Sequence, residues 1–376
     1  MEFKISSNKF KKVISLASRI CNNSLTLPIL NSILLEAKEG LLNVSSTNLE
    51  IGSLLSVPIN LEKEGEGSVV VPGRIFSDFI NSLPDEEIKI KEKDFSIEVV
   101  CGKFRAKFLG QNPNEFPIIP KVKEKEFISV DAEALISGFS MVNHIVSPSD
   151  SRVEISGILM TFKEDKLKIV GTDSVRLGEK TIKLFQKQKE KSVIIPQKTS
   201  VEFISGFSNL KGNVGIAIDS SQISFAFSSE KEDINSFRVV LVSRLIEGKY
   251  PAYEEIIPKK TPTTAILKKE ELKKKIKTAS FFSSRIQDVK LKFKPQKEQL
   301  LISASSSEVG EASLETKGDI KGEEIEAIFN WKYLLDGLSA INSSEVFLGL
   351  CDQTSPALIQ PIGDKSYLYV LMPKTI

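Results

Sequence analysis

The apolar positions along the chain change period in a fixed order, and that order occurs three times. Each copy opens on a short alternating stretch, then places apolar residues at helical spacing. These segments are EFKIS then SNKFKKVISLASRI, EFISV then DAEALISGFSMVNHI, and TAIL then KKEELKKKIKTASFF. Phe10, Val13, Ile14, Ala17 and Ile20 share one face of the first predicted helix, and Leu272, Ile276 and Ala279 one face of the third. Two alternating arms follow in each copy: SILLEAKEGLLNVSSTN from Ser32, GILMTFKEDKLKIVGTD from Gly157 and DVKLKFKPQKEQLLISA from Asp288. The turn formers between the arms, Lys-Glu-Gly, Glu-Asp and Pro-Gln-Lys, predict hairpins. The first two align without a gap at an offset of 125 residues, Ile33 with Ile158, Leu34 with Leu159, Val44 with Ile169 and Thr47 with Thr172.

A strand and a second helix come next: VVVPGRIFSDFINSLP, VIIPQKTSVEFISGFSNL and AIFNWKYLLDGLSAI. Pro72 and Pro196 fall at the helix entrance, where a missing N–H leaves no bond unmade. Further strands such as EIKIKEKDFSIEVV, NVGIAIDSSQISFAF and EVFLGLCDQTSPALI close each copy. The recurrence predicts an α+β fold of three tandem domains, each with two helices on antiparallel sheet, over residues 1–125, 126–255 and 256–376. Each is long enough to bury its own core. Pro-containing linkers are expected at 113–125 and 258–262.

Composition narrows the function. Hydrophobic residues at 41% and charged residues at 27% fit a soluble globular chain. No apolar run approaches the ~18 residues of a membrane span, and the polar, basic start MEFKISSNKFKK does not resemble a signal peptide. Cys21, Cys101 and Cys351 lie far apart with no CxxC pair, which argues against a disulfide framework or a zinc site and suits a reducing cytoplasm. The net charge of +2 is too small for a protein that holds nucleic acid by overall positive charge, but it allows a basic patch.

The charges are placed to make one. Lys12 and Arg19 lie two turns apart, opposite the apolar face of the first helix; Lys274 and Lys277 project from the helix of the third copy. Arg74, Lys198 and Lys332 stand at matching positions near the starts of the second helices. A sparse set of phosphate contacts holds duplex DNA without reading its sequence, although any one of these residues taken singly reads better as part of a solvated helix face, and only their recurrence at one register lifts the set above that. The first helix of the second copy carries no Lys or Arg over residues 131–145.

Catalytic patterns are missing. There is no GxxxxGK[ST] loop or dinucleotide fingerprint. The sole histidine, His144, sits at a helix end and reads as a capping or surface residue, and Glu254–Glu255 is an ordinary loop pair. Gly171-Thr172-Asp173-Ser174 lacks the GxSxG context of a nucleophile turn. No catalytic residue, metal or cofactor is expected. An enzyme would need a cluster of titratable groups in one pocket, and a scaffold that binds only protein would have no basic lining.

Several segments, in order along nearly the whole chain, resemble the β sliding clamp family, the beta subunit of bacterial DNA polymerase III. Leu25-Thr26-Leu27-Pro28-Ile29-Leu30 is similar to its TLPIL segment, and Val70-Val71-Pro72-Gly73-Arg74 to its VPAR-type helix start. Ser156-Gly157-Ile158-Leu159 with Gly171-Thr172-Asp173-Ser174-Val175-Arg176-Leu177 resembles NGxLxE…ATDGHRL. Residues 247–253, EGKYPAY, resemble DGxFPDY, and Tyr369-Val370-Leu371-Met372-Pro373 resembles YVVMPM.

The resemblance implies a DNA-clamp fold and a head-to-tail homodimer forming a ring, with helices lining a hole around double-stranded DNA. It implies a cytoplasmic, nucleoid-associated protein with no membrane partner. Its partners would be the DNA polymerase III catalytic subunit, the clamp loader and other proteins bearing a clamp-binding motif. Their hydrophobic peptides would enter a pocket of Ile155, Thr172, Arg176, Leu177, Pro251, Ile256, Val370, Leu371, Met372 and Pro373, with Thr172 and Arg176 bonding the peptide backbone. Phe281 and Phe282 would meet Lys103, Arg105 and Ala106 of the other copy. The chain departs from the family pattern at Val175, at Glu255 and at its end, Lys374-Thr375-Ile376, which implies an altered pocket rim. Ser24 and Ser149 replace residues that contact DNA in relatives.

Overall fold

The computed structural model describes residues 1–21, 24–62, 65–120, 127–146, 152–208, 210–228 and 237–374. The first third runs β1 (Glu2–Ser6), α1 (Ser7–Ser18), β2 (Ser32–Lys38), β3 (Leu41–Thr47), β4 (Ile51–Pro58), β5 (Asn60–Leu61), β6 (Gly67–Pro72), α2 (Gly73–Ser82), β7 (Glu87–Lys93), β8 (Ser96–Cys101) and β9 (Phe104–Leu109). The middle third runs β10 (Ile128–Asp131), α3 (Ala132–Asn143), β11 (Gly157–Thr172), β12 (Arg176–Pro196), α4 (Gln197–Phe207), β13 (Asn213–Ile218), β14 (Gln222–Ser228) and β15 (Arg238–Arg244). The last runs β16 (Thr263–Lys268), α5 (Lys269–Ala279), β17 (Asp288–Lys294), β18 (Gln299–Ser306), β19 (Gly310–Lys317), β20 (Asp319–Lys321), β21 (Ile325–Asn330), α6 (Trp331–Ala340), β22 (Glu345–Leu350), β23 (Ala357–Pro361) and β24 (Tyr367–Leu371). Strand, helix, strands, helix and strands thus recur in the predicted order.

The first and third helices stop earlier than their apolar patterns suggest, at Ser18 and Ala279, and residues 280–282 tighten into a 3-10 turn. At both ends a serine hydroxyl satisfies a last-turn carbonyl: Ser18 Oγ donates to the Ser15 carbonyl at 3.0 Å and Ser280 Oγ to the Lys277 carbonyl at 2.8 Å. At the turn expected between Glu164 and Asp165, the pairing of β11 with β12 changes register and Glu164 adopts a left-handed backbone (φ 51°). Residues 157–162 pair with 191–196, and residues 166–172 with 177–183.

The chain packs as two compact units, one of residues 1–133 with 202–245 and one of residues 134–201 with 246–376. In the first, a five-stranded sheet has the order β5-β1-β7-β8-β9 and an eight-stranded sheet the order β10-β13-β14-β15-β4-β3-β2-β6. Antiparallel pairing of β15 with β4, Leu241 opposite Ser53, makes the larger sheet continuous. Edge-to-face rings tie the helices to strand: Phe3 to Phe10 at 6.4 Å, Phe10 to Phe76 at 5.9 Å and Phe76 to Phe108 at 5.2 Å.

In the second unit, a seven-stranded sheet has the order β11-β12-β24-β23-β22-β16-β20 and a four-stranded sheet the order β19-β18-β17-β21. Leu272, Ile276 and Ala279 of α5 and Leu334 and Leu338 of α6 are buried in one core with Tyr367, Tyr369 and Leu371 of β24. Helix α6 approaches β24 closely at Gly337, where a Cβ would come within 2.5 Å of the Tyr369 ring. The Tyr369 hydroxyl donates to the Tyr333 carbonyl at 2.9 Å. Asn330 caps α6 by accepting from the Lys332 N–H at 2.9 Å. None of the described helices is long and apolar enough to cross a membrane.

Candidate functional site: a buried apolar cluster and two sets of exposed cations

The candidate pocket lies in the second unit, where β12 pairs with β24, Leu177 opposite Val370 and Arg176 opposite Leu371. Strand alternation divides the sequence-predicted residues between two faces. Ile155, Leu177 and Val370 share one buried cluster with Leu159, Val170, Tyr250 and Tyr253. Leu371 is buried instead in the core beneath α5 and α6. Pro251 is half-buried, and its carbonyl accepts from the Tyr253 N–H at 2.8 Å. Ile256 ends the 3-10 turn Tyr253–Ile256 and is 44% exposed, the most open apolar side chain of the set. Met372 and Pro373 are half-buried. Backbone bonds from Met372 N–H to the Val175 carbonyl (2.9 Å) and from Lys374 N–H to the Ile328 carbonyl (2.7 Å) hold this end of the chain.

Thr172 and Arg176 are engaged within the chain. Thr172 Oγ1 donates to the Arg176 carbonyl at 2.7 Å and accepts from the Ser174 N–H at 3.2 Å. The Asp173 carboxylate accepts from the backbone N–H groups of Val175 and Arg176, which makes residues 173–176 a tight turn. The Arg176 guanidinium donates to Asp173 at 2.9 Å, to Asp336 at 2.5 Å and to the His144 carbonyl at 3.1 Å, and it lies 4.1 Å from the Tyr333 ring centre. Arg176 therefore fixes the turn that presents Leu177. His144 stands just past α3, and burial lowers its pKa, which keeps the imidazole neutral.

Sequence reasoning did not single out the polar group beneath the apolar cluster. Glu179 is buried, and its Oε2 accepts from the Tyr253 hydroxyl at 2.6 Å and from Lys168 Nζ at 3.2 Å. Position i+2 from Leu177 on one strand was the available signal. Tyr253→Phe is expected to lower unfolding free energy by about 2 kcal/mol, because a buried carboxylate loses a charge-assisted hydrogen bond. Urea unfolding measures this, and unchanged stability would mean that Lys168 alone satisfies Glu179.

The cations sort by partner. In the first unit, Lys12 and Arg19 of α1 line a groove of about 310 Å³ with Ser205 and Gly206 of α4. Lys12 Nζ sits 4.0 Å from the Phe237 ring centre, and Arg19 pairs with Glu202 at 3.0 Å. Arg74 is exposed on α2. In the second unit, Lys269 and Lys273 pair with Glu270, and Lys275 with Glu271. Lys274 and Lys277 of the same helix make no such ion pair among the described residues, nor do Lys198 and Lys332, and all four are exposed. Lys277 and Lys332 flank the Trp331 ring, at 4.9 and 5.5 Å.

Lys103, Arg105 and Ala106 lie on or beside β9, an outermost strand of the five-stranded sheet, where Phe104 is 52% and Leu109 77% exposed. Phe281 is 67% exposed, whereas Phe282 packs against the core of the second unit. Ser24, which departs from the family pattern, shapes its own loop by accepting from the Leu27 N–H and donating its N–H to Asn31. Ser149 and the terminal Thr375 and Ile376 lie outside the described residues.

The described residues assemble no reacting centre. Burial pushes the Cys21 thiol up to about 12, far from thiolate chemistry at neutral pH. Among the described residues no three His, Cys, Asp or Glu side chains are grouped to hold a metal. The fold and its surfaces are those of a repeat-built clamp that works by binding. Residues 1–120 match the N-terminal domain of the DNA polymerase III beta subunit, residues 129–252 the central domain and residues 254–375 the C-terminal domain. The chain belongs to this family.

It is 27% identical over 381 residues to a beta sliding clamp of Staphylococcus aureus, with 99% of each chain covered. The crystal structure of a sliding clamp from Bacillus subtilis matches with a TM-score of 0.92 and 25% identity, covering 100% of this chain and 99% of that one. A Pseudomonas aeruginosa sliding clamp bound to griselimycin matches with a TM-score of 0.91 and 25% identity over 100% of both chains. The protein is thus a processivity clamp of DNA polymerase and not an enzyme.

Proposed function

We propose that two copies of this chain close head to tail around duplex DNA, each contributing three domains over residues 1–125, 126–255 and 256–376. The ring tethers the DNA polymerase III catalytic subunit, and the clamp loader and other motif-bearing proteins use the same apolar pocket. Its place is the cytoplasm, at the nucleoid. The charge sorting on α5 carries this reading. Three of its lysines pair with the two neighbouring glutamates, Glu270 and Glu271, while Lys274 and Lys277 stay open for phosphate together with Lys332. With Lys12, Arg19, Arg74 and Lys198 they form a set too sparse to grip DNA tightly, as sliding requires.

Two open strand edges support ring closure. β9 and β19 are outermost in the five- and four-stranded sheets, and Phe281 follows the helix that packs on the latter. Such edges are templates for pairing with another chain. Encirclement predicts that the clamp, once loaded on a nicked circle, stays bound and leaves when the circle is linearised. Binding to short linear duplexes should be weak and fall with salt. Gel filtration of loaded circles before and after cutting tests this. Tight binding to short linear DNA in physiological salt would remove the case for a topological hold.

A further inference from the structure

The hydroxyl of Tyr250 is a polar group that the fold leaves unused. Tyr250 is only 8% exposed and lies in the cluster that holds Ile155, Leu177 and Val370, its ring edge-on to Tyr253 at 6.4 Å. Its hydroxyl is buried, and among the described residues no group is placed to accept its proton. Tyr253, three residues on in the same cluster, has its hydroxyl satisfied by Glu179. Folded proteins rarely bury a donor without an acceptor, and the exceptions call for an explanation. In the DGxFPDY pattern that residues 247–253 resemble, phenylalanine stands where this chain has Tyr250. A phenylalanine would fill the same apolar space, so the hydroxyl is what this chain adds.

We propose that Tyr250 is a specificity-determining residue of the pocket, donating its phenol proton to an uncharged carbonyl oxygen of the bound peptide. This rests on the pocket proposed above for partner peptides. The acceptor is uncharged because this segment carries Glu254 and Glu255 and bonds buried Glu179 through Tyr253, and the one cation paired with them among the described residues, Lys168 (3.2 Å from Glu179 and 3.6 Å from Glu254), leaves the carboxylates in excess, which disfavours a peptide carboxylate. The preferred partner is an apolar peptide that turns a backbone or carboxamide carbonyl toward the pocket wall between its anchors.

The test uses the full chain and a fluorescent clamp-binding peptide from the DNA polymerase III catalytic subunit, with anisotropy and thermal melting on wild type, Tyr250→Phe and Ile256→Asp. Tyr250→Phe is expected to melt at the same temperature or higher, since it removes an unsatisfied buried group, and to bind the peptide roughly 2- to 10-fold more weakly. Ile256→Asp, on the exposed rim, should bind far more weakly still. Weak binding by Ile256→Asp with wild-type affinity in Tyr250→Phe overturns the proposal and leaves the pocket standing. A lowered melting temperature with unchanged affinity also overturns it, because the hydroxyl is then satisfied inside the chain. Wild-type affinity in both variants removes the pocket reading itself, and the proposal with it.

Discussion

Removing residues 372–376 is expected to weaken binding of a polymerase-derived peptide by at least about 100-fold while leaving the fold and the dimer intact. Met372 and Pro373 are half-buried apolar side chains at the chain end, next to the cluster of Leu177 and Val370. An apolar peptide side chain buried against such walls gains ~1.5–3 kcal/mol, and two anchors together amount to ~100-fold or more in affinity after ordering losses. The truncation should be tolerated because Leu371 and Val370 remain in β24, whose register with β12 and β23 is unaffected. The two backbone bonds that hold Met372 and Lys374 lie beyond the sheet and stabilise it by about 1 kcal/mol each. Anisotropy beside thermal melting decides the matter: a truncated protein that melts normally and binds at wild-type affinity shows that the peptide sits elsewhere.

Replacing Phe281 with aspartate is expected to convert the dimer to monomers, raising the dimer Kd by on the order of 1,000-fold. At 67% exposure Phe281 does little for the core of its own unit, so the isolated chain should lose little stability. In the closed ring the same substitution would remove a buried aromatic side chain and place a carboxylate in a desolvated junction. Lys277, whose Nζ is 5.9 Å from the Phe281 ring, could pair with that carboxylate in the monomer, which further disfavours association. Phe281→Ala, which loses only burial, should give a smaller effect of about 10-fold or more. Sedimentation velocity reads both variants. A folded Phe281→Asp protein that still sediments as a dimer would show that this aromatic is outside the junction.

Much of the fold is legible in the amino-acid sequence alone. The order of strands and helices follows from the change of apolar period, which local chain geometry enforces. Proline at the helix entrances and the apolar stripe of α1 reflect backbone and burial rules acting within a few residues, and comparing the copies gives the repeat offset of 125 residues. The family resemblance points to the turn at residues 173–176 and to the chain end, both of which fall at the paired strands β12 and β24.

Four things depended on tertiary structure. Pairing of β15 with β4 and of β12 with β24 builds the large sheets across the sequence repeats, and the period-two pattern cannot say which strand edge meets which. The same alternation put Val370 in the apolar cluster and Leu371 in the core behind it, a division fixed only once register was set. On α5 the sequence shows five lysines at 269, 273, 274, 275 and 277, yet only side-chain geometry decides which pair with Glu270 and Glu271. Tyr250 shows the same limit: the sequence places it in the segment that resembles DGxFPDY, but whether its hydroxyl finds an acceptor depends on groups distant in the chain, brought near by folding.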